Sequence, residues 1–145
     1  MNYIIFTDGG SRGNPGPSGA GGIIRHPDGT VVAKISQFLG HQTNNYAEYK
    51  ALYLTLCEAI KLNIVDVDVY LDSKLIVEQL NGRWKVKTLG IIPLYTETKN
   101  LIANFKSITF SHVYRKYNKE ADALANQAMD LGILNLQCDT MKKDK

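Results

Sequence analysis

Tyr3-Ile4-Ile5-Phe6-Thr7-Asp8-Gly9-Gly10 is the stretch from which the fold can be read. Its apolar run predicts a strand over 2–7, and Asp8 closes that run directly before two glycines, so a carboxylate stands where the strand ends and the backbone becomes accessible. The arrangement recurs. Asp72 ends the alternating run Val67-Asp68-Val69-Tyr70-Leu71, while Glu48 and Asp122 fall in the first turns of helix-like segments. Acids at four element ends can converge on one spot. Clustered carboxylates repel one another and persist when a cation offsets their charge. Oxygen ligands suit a hard ion such as Mg²⁺, commonly held by a few carboxylates together with substrate phosphates. The constellation points to phosphate chemistry.

Outward from this stretch, apolar runs place further strands at 18–25 and 30–39, joined by the turn Pro27-Asp28-Gly29 into an antiparallel meander. A helix is predicted from Asn45 to about Leu62, capped by Asn44 or Asn45, with Ala47, Ala51, Leu54, Leu56, Ala59 and Ile60 giving it an apolar side. A strand at 65–71 follows, with Asp66 and Asp68 on a solvated face. Ser73 to Asn81 reads as a short helix stopped by Gly82, and Pro93 to Phe105 as a helix opened by proline. Ile108 to Tyr114 reads as the fifth strand, and a last helix begins at Asn118. The order βββαβααβα predicts an α/β fold: a mixed five-stranded sheet, three antiparallel strands then two parallel, flanked by helices. Residues 1–132 make the predicted domain and 133–145 a C-terminal tail in which Lys142, Lys143 and Lys145 are solvated.

The glycine-rich stretch from Gly9 to Gly22 lacks the Gly-Lys-Ser/Thr ending of a phosphate-cradling loop and leads into no helix. With Pro15 and Pro17 it suits a tight turn between two antiparallel strands. With 145 residues, 44% hydrophobic and 21% charged, the chain fits one globular domain, and no apolar stretch reaches the ~20 residues of a membrane span. A cytoplasmic protein and a monomer are expected. Cys57 and Cys138 are too few and too far apart for a zinc site; free thiols are the first reading and a bridge from tail to first helix the second. Net charge is only +3, but Lys74, Arg83, Lys85 and Lys87 cluster in one segment and Arg115, Lys116 and Lys119 in another, each near a candidate acid.

Four motifs now stand in order: Phe6-Thr7-Asp8-Gly9-Gly10-Ser11-Arg12-Gly13-Asn14-Pro15-Gly16, Thr43-Asn44-Asn45-Tyr46-Ala47-Glu48, Leu71-Asp72-Ser73, and Asn118-Lys119-Glu120-Ala121-Asp122-Ala123-Leu124-Ala125. Together they resemble the type 1 ribonuclease H family over roughly residues 1–130. The resemblance implies an endonuclease that cuts the RNA strand of RNA/DNA hybrids to 5′-phosphate and 3′-hydroxyl ends, with two Mg²⁺ ions or Mn²⁺ as substitute. It implies that Asp8 contacts both ions, that Glu48 and Asp72 hold the ion near the leaving 3′ oxygen, and that Asp122 helps hold the other. Three of the acids also have a local alternative: Glu48 completing a helix cap, Asp72 capping the helix at Ser73, and Asp122 favoured by a helix dipole; Asp8, between an apolar strand and two glycines, has no cap to make.

Substrate contacts carry over in part. Asn14, Thr43, Asn44 and Asn45 match positions that touch the two strands or a DNA phosphate, with turn and cap chemistry as their alternative, and Ser11 can reach a 2′-hydroxyl; the strands are read through 2′-hydroxyls and backbone shape rather than base identity. The sequence departs from the family at three places. The long basic insertion of many members is missing, because Asn81-Gly82-Arg83-Trp84-Lys85-Val86-Lys87 runs almost directly into the next helix. There, Lys85 and Lys87 are candidate nucleic-acid contacts, and Trp84 either stacks on the substrate or packs in the fold. The loop histidine of many relatives is also missing: Val113 to Asn118 holds none, His112 reads as structural, and Arg115 either takes the role over or is a surface cation. Finally, His41 stands where relatives often have arginine and Lys74 where others are uncharged. These shortened loops resemble archaeal and some bacterial branches, some of whose members also cut double-stranded RNA, so duplex RNA is a second candidate substrate. The competing classes are a non-catalytic hybrid binder and a different nuclease, such as an integrase or resolvase, on the same fold.

Overall fold

A computed structural model describes residues 1–143, with side chains as far as Cys138. Strands β1 (Tyr3–Ser11), β2 (Gly16–Arg25) and β3 (Val31–Gln42) form the antiparallel meander. β4 (Asp66–Leu71) and β5 (Ser107–His112) extend the sheet in parallel, giving the order β3-β2-β1-β4-β5. The helices are α1 (Asn44–Lys61), α2 (Lys74–Leu80), α3 (Ile92–Ile102) and α4 (Lys119–Lys143), and a 3-10 turn, Arg115–Tyr117, leads into α4. The expected class and order are those observed.

The main core lies on one side of the sheet, where Ile5, Ile24, Val67, Val69 and Leu71 meet Leu52, Leu56 and Ile76 at 2% exposure or less. Fully burying each such aliphatic side chain contributes roughly 1.5–3 kcal/mol. On the other side α4 crosses β2 with small residues, Ala121, Ala125 and Ala128, all buried.

That crossing corrects the reading of Gly9 to Gly22 as one turn. Only residues 12–15 turn; the glycines before and after them lie in β1 and β2. A Cβ on Gly21 would stand 2.1 Å from the Ala121 carbonyl oxygen, and one on Gly9 2.2 Å from that of Ala47, so both positions are kept bare for a helix backbone. The same pairing corrects the expected end of β1 at residue 7. Its hairpin with β2 continues to Ser11↔Ser18, whereas its parallel ladder with β4 stops at Thr7↔Leu71.

Other expected boundaries move by a few residues. The cap of α1 is Thr43, whose hydroxyl accepts from the Tyr46 N–H, not Asn44 or Asn45. α3 begins at Ile92 rather than Pro93 and stops at Ile102, short of the expected Phe105; β5 stops at His112, short of Tyr114. Asp68, expected on a solvated face, is half-buried and accepts hydrogen bonds from Asn2 and Thr109. Cys57 and Cys138 are free thiols. α4 runs on past residue 132, while the solvated tail expected at Lys142, Lys143 and Lys145 concerns side chains outside those described. Among the described residues no helix is long and apolar enough to cross a membrane.

Candidate active site

The end of the β1–β4 ladder builds the site. Past Thr7↔Leu71 the same register sets Asp8 beside Asp72, on strands that run about 4.8 Å apart. Gly9 lets the first turn of α1 sit on β1, which brings Glu48 in from one side, and the opening turn of α4, where the Asp122 N–H donates to the Asn118 carbonyl at 3.1 Å, brings Asp122 in from the other. All four acids line one open cleft of about 460 Å³, together with Ser11, Asn14, Asn44, Asn45 and Arg115.

The charges in this cleft are not settled by the chain. Asp8 is pushed up to about 8, first by burial, then by the charge of Asp72, a hydrogen bond and charge from Asp122, and the charge of Glu48. Glu48 is pushed up to about 7, chiefly by burial and also by Asp72, while the Ser73 hydroxyl and the Arg115 charge pull the other way. Its Oε2 is buried with no hydrogen-bond partner. Neither local alternative for the helix caps holds. Thr43 caps α1, and Ser73 rather than Asp72 caps α2, its hydroxyl accepting from the Ile76 N–H at 3.4 Å.

A family model described as "Reverse transcriptase-like" matches residues 6–128. Over 131 residues the chain is 47% identical to the bifunctional protein Rv2228c of Mycobacterium tuberculosis, matching 90% of this chain and 36% of that protein. It therefore spans about a third of that relative. The crystal structure of RNase H1 from the archaeon Halobacterium salinarum superposes with a TM-score of 0.86 at 36% identity, covering 90% of this chain and 98% of that one. LC11-RNase H1, solved in complex with an RNA/DNA hybrid, also gives 0.86 at 36% identity, with 91% and 99% covered.

This chain belongs to the type 1 ribonuclease H family.

Divalent-metal dependence is general among ribonucleases H. Among the described residues no group of three or more His, Cys, Asp or Glu side chains is arranged to hold an ion by itself. The donor set nevertheless fits Mg²⁺, which keeps several waters and completes its shell with substrate phosphate. The raised Asp8, crowded by the other carboxylates, and the orphaned Glu48 oxygen mark where positive charge is wanted.

The remaining candidate residues divide into two groups. The asparagines form a relay beside the acids: the Ser11 N–H donates to Asn44 Oδ1 at 2.8 Å, and the Asn44 N–H to Asn14 Oδ1 at 3.1 Å. Thr43, Lys74, Trp84, Lys85 and Lys87 do not line the cleft. Trp84 is 46% exposed rather than a core residue, and Arg83 is held by Glu78 through two hydrogen bonds of 2.5 and 2.8 Å, so it is withdrawn from the expected basic cluster. His112, read as structural, is exposed, and its ring meets that of Tyr114 edge-on.

Three residues the sequence reading left unassigned belong to the site. Asn118, 1% exposed, donates to the Thr7 carbonyl at 2.9 Å and to Asp72 Oδ2 at 3.3 Å, tying α4 to both carboxylate-bearing strands. Arg12 reaches from the β1–β2 turn to Asp130 at 2.6 Å, and Asn126 donates to the Asp122 carbonyl at 3.0 Å. The available signal was spacing. Asn126 and Asp130 fall four and eight residues after Asp122, on one helical face.

Proposed function

We propose that this chain is an endoribonuclease that hydrolyses the RNA strand of RNA/DNA hybrids without sequence preference, leaving 5′-phosphate and 3′-hydroxyl ends. The observation that carries the reading is the cleft in which half-buried Asp8 and Glu48, raised to about 8 and 7, face Asp72 and Asp122 beside a row of asparagines. Residues 1–132 are the catalytic domain, in a protein taken as a cytoplasmic monomer.

Asp8, Glu48, Asp72 and Asp122 would hold two Mg²⁺ ions, or Mn²⁺ in their place: Asp8 both, Glu48 and Asp72 the one on the leaving 3′-oxygen side, Asp122 the other. Bound there, the ions supply a water of lowered pKa and offset the charge that develops on the phosphate. Asp8 and Glu48 must release protons for this, so metal affinity falls as pH falls. Arg115 adds a guanidinium at the cleft for the scissile phosphate. Asn14 and Asn44 spend their carbonyl oxygens on backbone N–H groups, which leaves their NH₂ ends as donors for 2′-hydroxyls and phosphates of a strand in a wide minor groove. Duplex RNA shares those 2′-hydroxyls, and with Lys85 and Lys87 outside the cleft the DNA strand is gripped weakly, so duplex RNA is a slower second substrate.

The test is cleavage of one end-labelled sequence as RNA/DNA hybrid, RNA duplex, DNA duplex and single-stranded RNA, with Mg²⁺, Mn²⁺ or chelator. Metal-dependent cutting of the hybrid's RNA strand is expected, with slower cutting of duplex RNA. No cutting while the hybrid still binds would overturn catalysis and leave a binding module.

A further inference from the structure

The 3-10 turn Arg115–Tyr117 separates two cavities. Arg115 lines the carboxylate cleft, whereas the next two residues, Lys116 and Tyr117, line a second opening of about 210 Å³ with Phe6, Asn118, Lys119 and Glu120. Phe6 of β1 lines it, and Tyr70 of β4 stacks on Phe6. Phe6 and Tyr70 each precede a cleft acid by two residues, so they share the face of Asp8 and Asp72 about 7 Å further along the strands.

This opening has the chemistry of a nucleobase platform. The Phe6 and Tyr70 rings are stacked at 5.1 Å and both are half-buried, so neither is sealed in the core. Tyr117 is 62% exposed, with the Lys116 ammonium 4.9 Å from its ring centroid. Glu120 is neutralised by Arg25 at 2.5 Å, while among the described residues neither Lys116 nor Lys119 forms a salt bridge. The opening therefore carries net positive charge among aromatic faces. Asp68, further along β4, is engaged by Asn2 and Thr109 and marks where the positive surface ends.

We propose that this platform binds a single-stranded nucleic-acid extension running on from the hybrid in the carboxylate cleft. The inference rests on the hybrid reading above. A flexible strand crossing the 3-10 turn meets two of its cations in succession, Arg115 at the carboxylate cleft and Lys116 at the second opening, and stacks its bases on Tyr117 or Phe6; a rigid duplex presents no base faces to the rings. The enzyme thus prefers hybrids bordered by unpaired strand to blunt ones.

The test is fluorescence anisotropy in chelator, which prevents cleavage, with a blunt hybrid and with hybrids whose RNA or DNA strand extends at either end by about six nucleotides. One extension should tighten binding by about fivefold or more. Lys116→Glu combined with Tyr117→Ala should erase that gain and leave binding and cleavage of the blunt hybrid unchanged. Lys119→Glu, an exposed change that spares the rings, should reduce the gain and guards against misfolding of the double variant. Equal affinity for blunt and extended hybrids, or a gain that survives both variants, overturns the platform. Failure of the blunt hybrid to bind or be cut instead overturns the hybrid reading itself.

Discussion

The acids of the surface and the acids of the cleft respond to folding in opposite directions. Asp28, exposed, and Glu78, half-buried beneath Arg83, are held below their ordinary range: Asp28 by hydrogen bonds from Thr30, including its N–H at 2.8 Å, and then by His26; Glu78 by the Arg83 guanidinium. Asp8 and Glu48 are driven up, because burial strips their water and their neighbours are other carboxylates. The surface acids are satisfied by the chain. The cleft acids are arranged for a charge that the chain does not provide, which is what a site for cations and an anionic phosphate requires.

Removing the centre of that arrangement should have the largest effect. Asp8→Asn keeps the shape and deletes the charge, and we expect hybrid cleavage to fall on the order of a thousandfold or more while hybrid binding in chelator stays near wild type. Single-turnover cleavage beside anisotropy separates the two. Retained cleavage would put Asp8 with Asp28, as a residue of local structure.

Next comes the pH dependence of stability without metal. Asp8 and Glu48 bind protons more tightly in the folded state, so their contribution is fully present below about pH 4, the ordinary carboxylate range, and is lost as pH rises through about 7 and 8. The thermal midpoint in chelator should therefore drop between pH 5 and pH 9, by an amount on the order of a few kcal/mol in stability. Mg²⁺ should recover part of the loss at the high end, and Asp8→Asn should flatten the profile. A midpoint that rises over this range would mean that the cleft acids are paired like the surface ones.

The same contrast explains what could be read from the sequence. Asp8, Glu48, Asp72 and Asp122, which the fold brings to one cleft, stand out as candidates in the sequence because an acid at the end of an apolar run, or in a helix's first turn within a family motif, leaves a local mark. The fold was visible because period-two runs and glycine or proline stops are local as well. The glycines of β1 and β2 were misread, since the reason for Gly21 is the Ala121 carbonyl, distant in sequence and 2.1 Å away from where a Cβ would be. Asn118 leaves no local mark for the same reason: its partners, Thr7 and Asp72, lie on two other elements. Charge clustering in sequence also misled, because Arg83 folds back onto Glu78.

Arg115 tests the boundary between the two groups. It lines the cleft and lowers Glu48, yet it makes no salt bridge among the described residues. Arg115→Ala should slow cleavage by roughly tenfold to a hundredfold if its guanidinium meets the scissile phosphate, with kcat falling more than affinity. An unchanged kcat would return it to the surface cations.

The smallest effects belong to the loop between α2 and α3. Lys87 is exposed and outside the cleft, so Lys87→Ala should leave kcat alone and weaken hybrid binding only at low salt, with the slope of log affinity against log salt reduced by about one. Arg83→Ala is its partner experiment. Arg83 already donates to both oxygens of Glu78, so its loss should change neither cleavage nor the salt slope. A slope that moves with Arg83 and not with Lys87 would show that the Glu78 pair opens when substrate arrives. The loop would then join the cleft as a substrate-dependent surface, although the folded chain alone satisfies it.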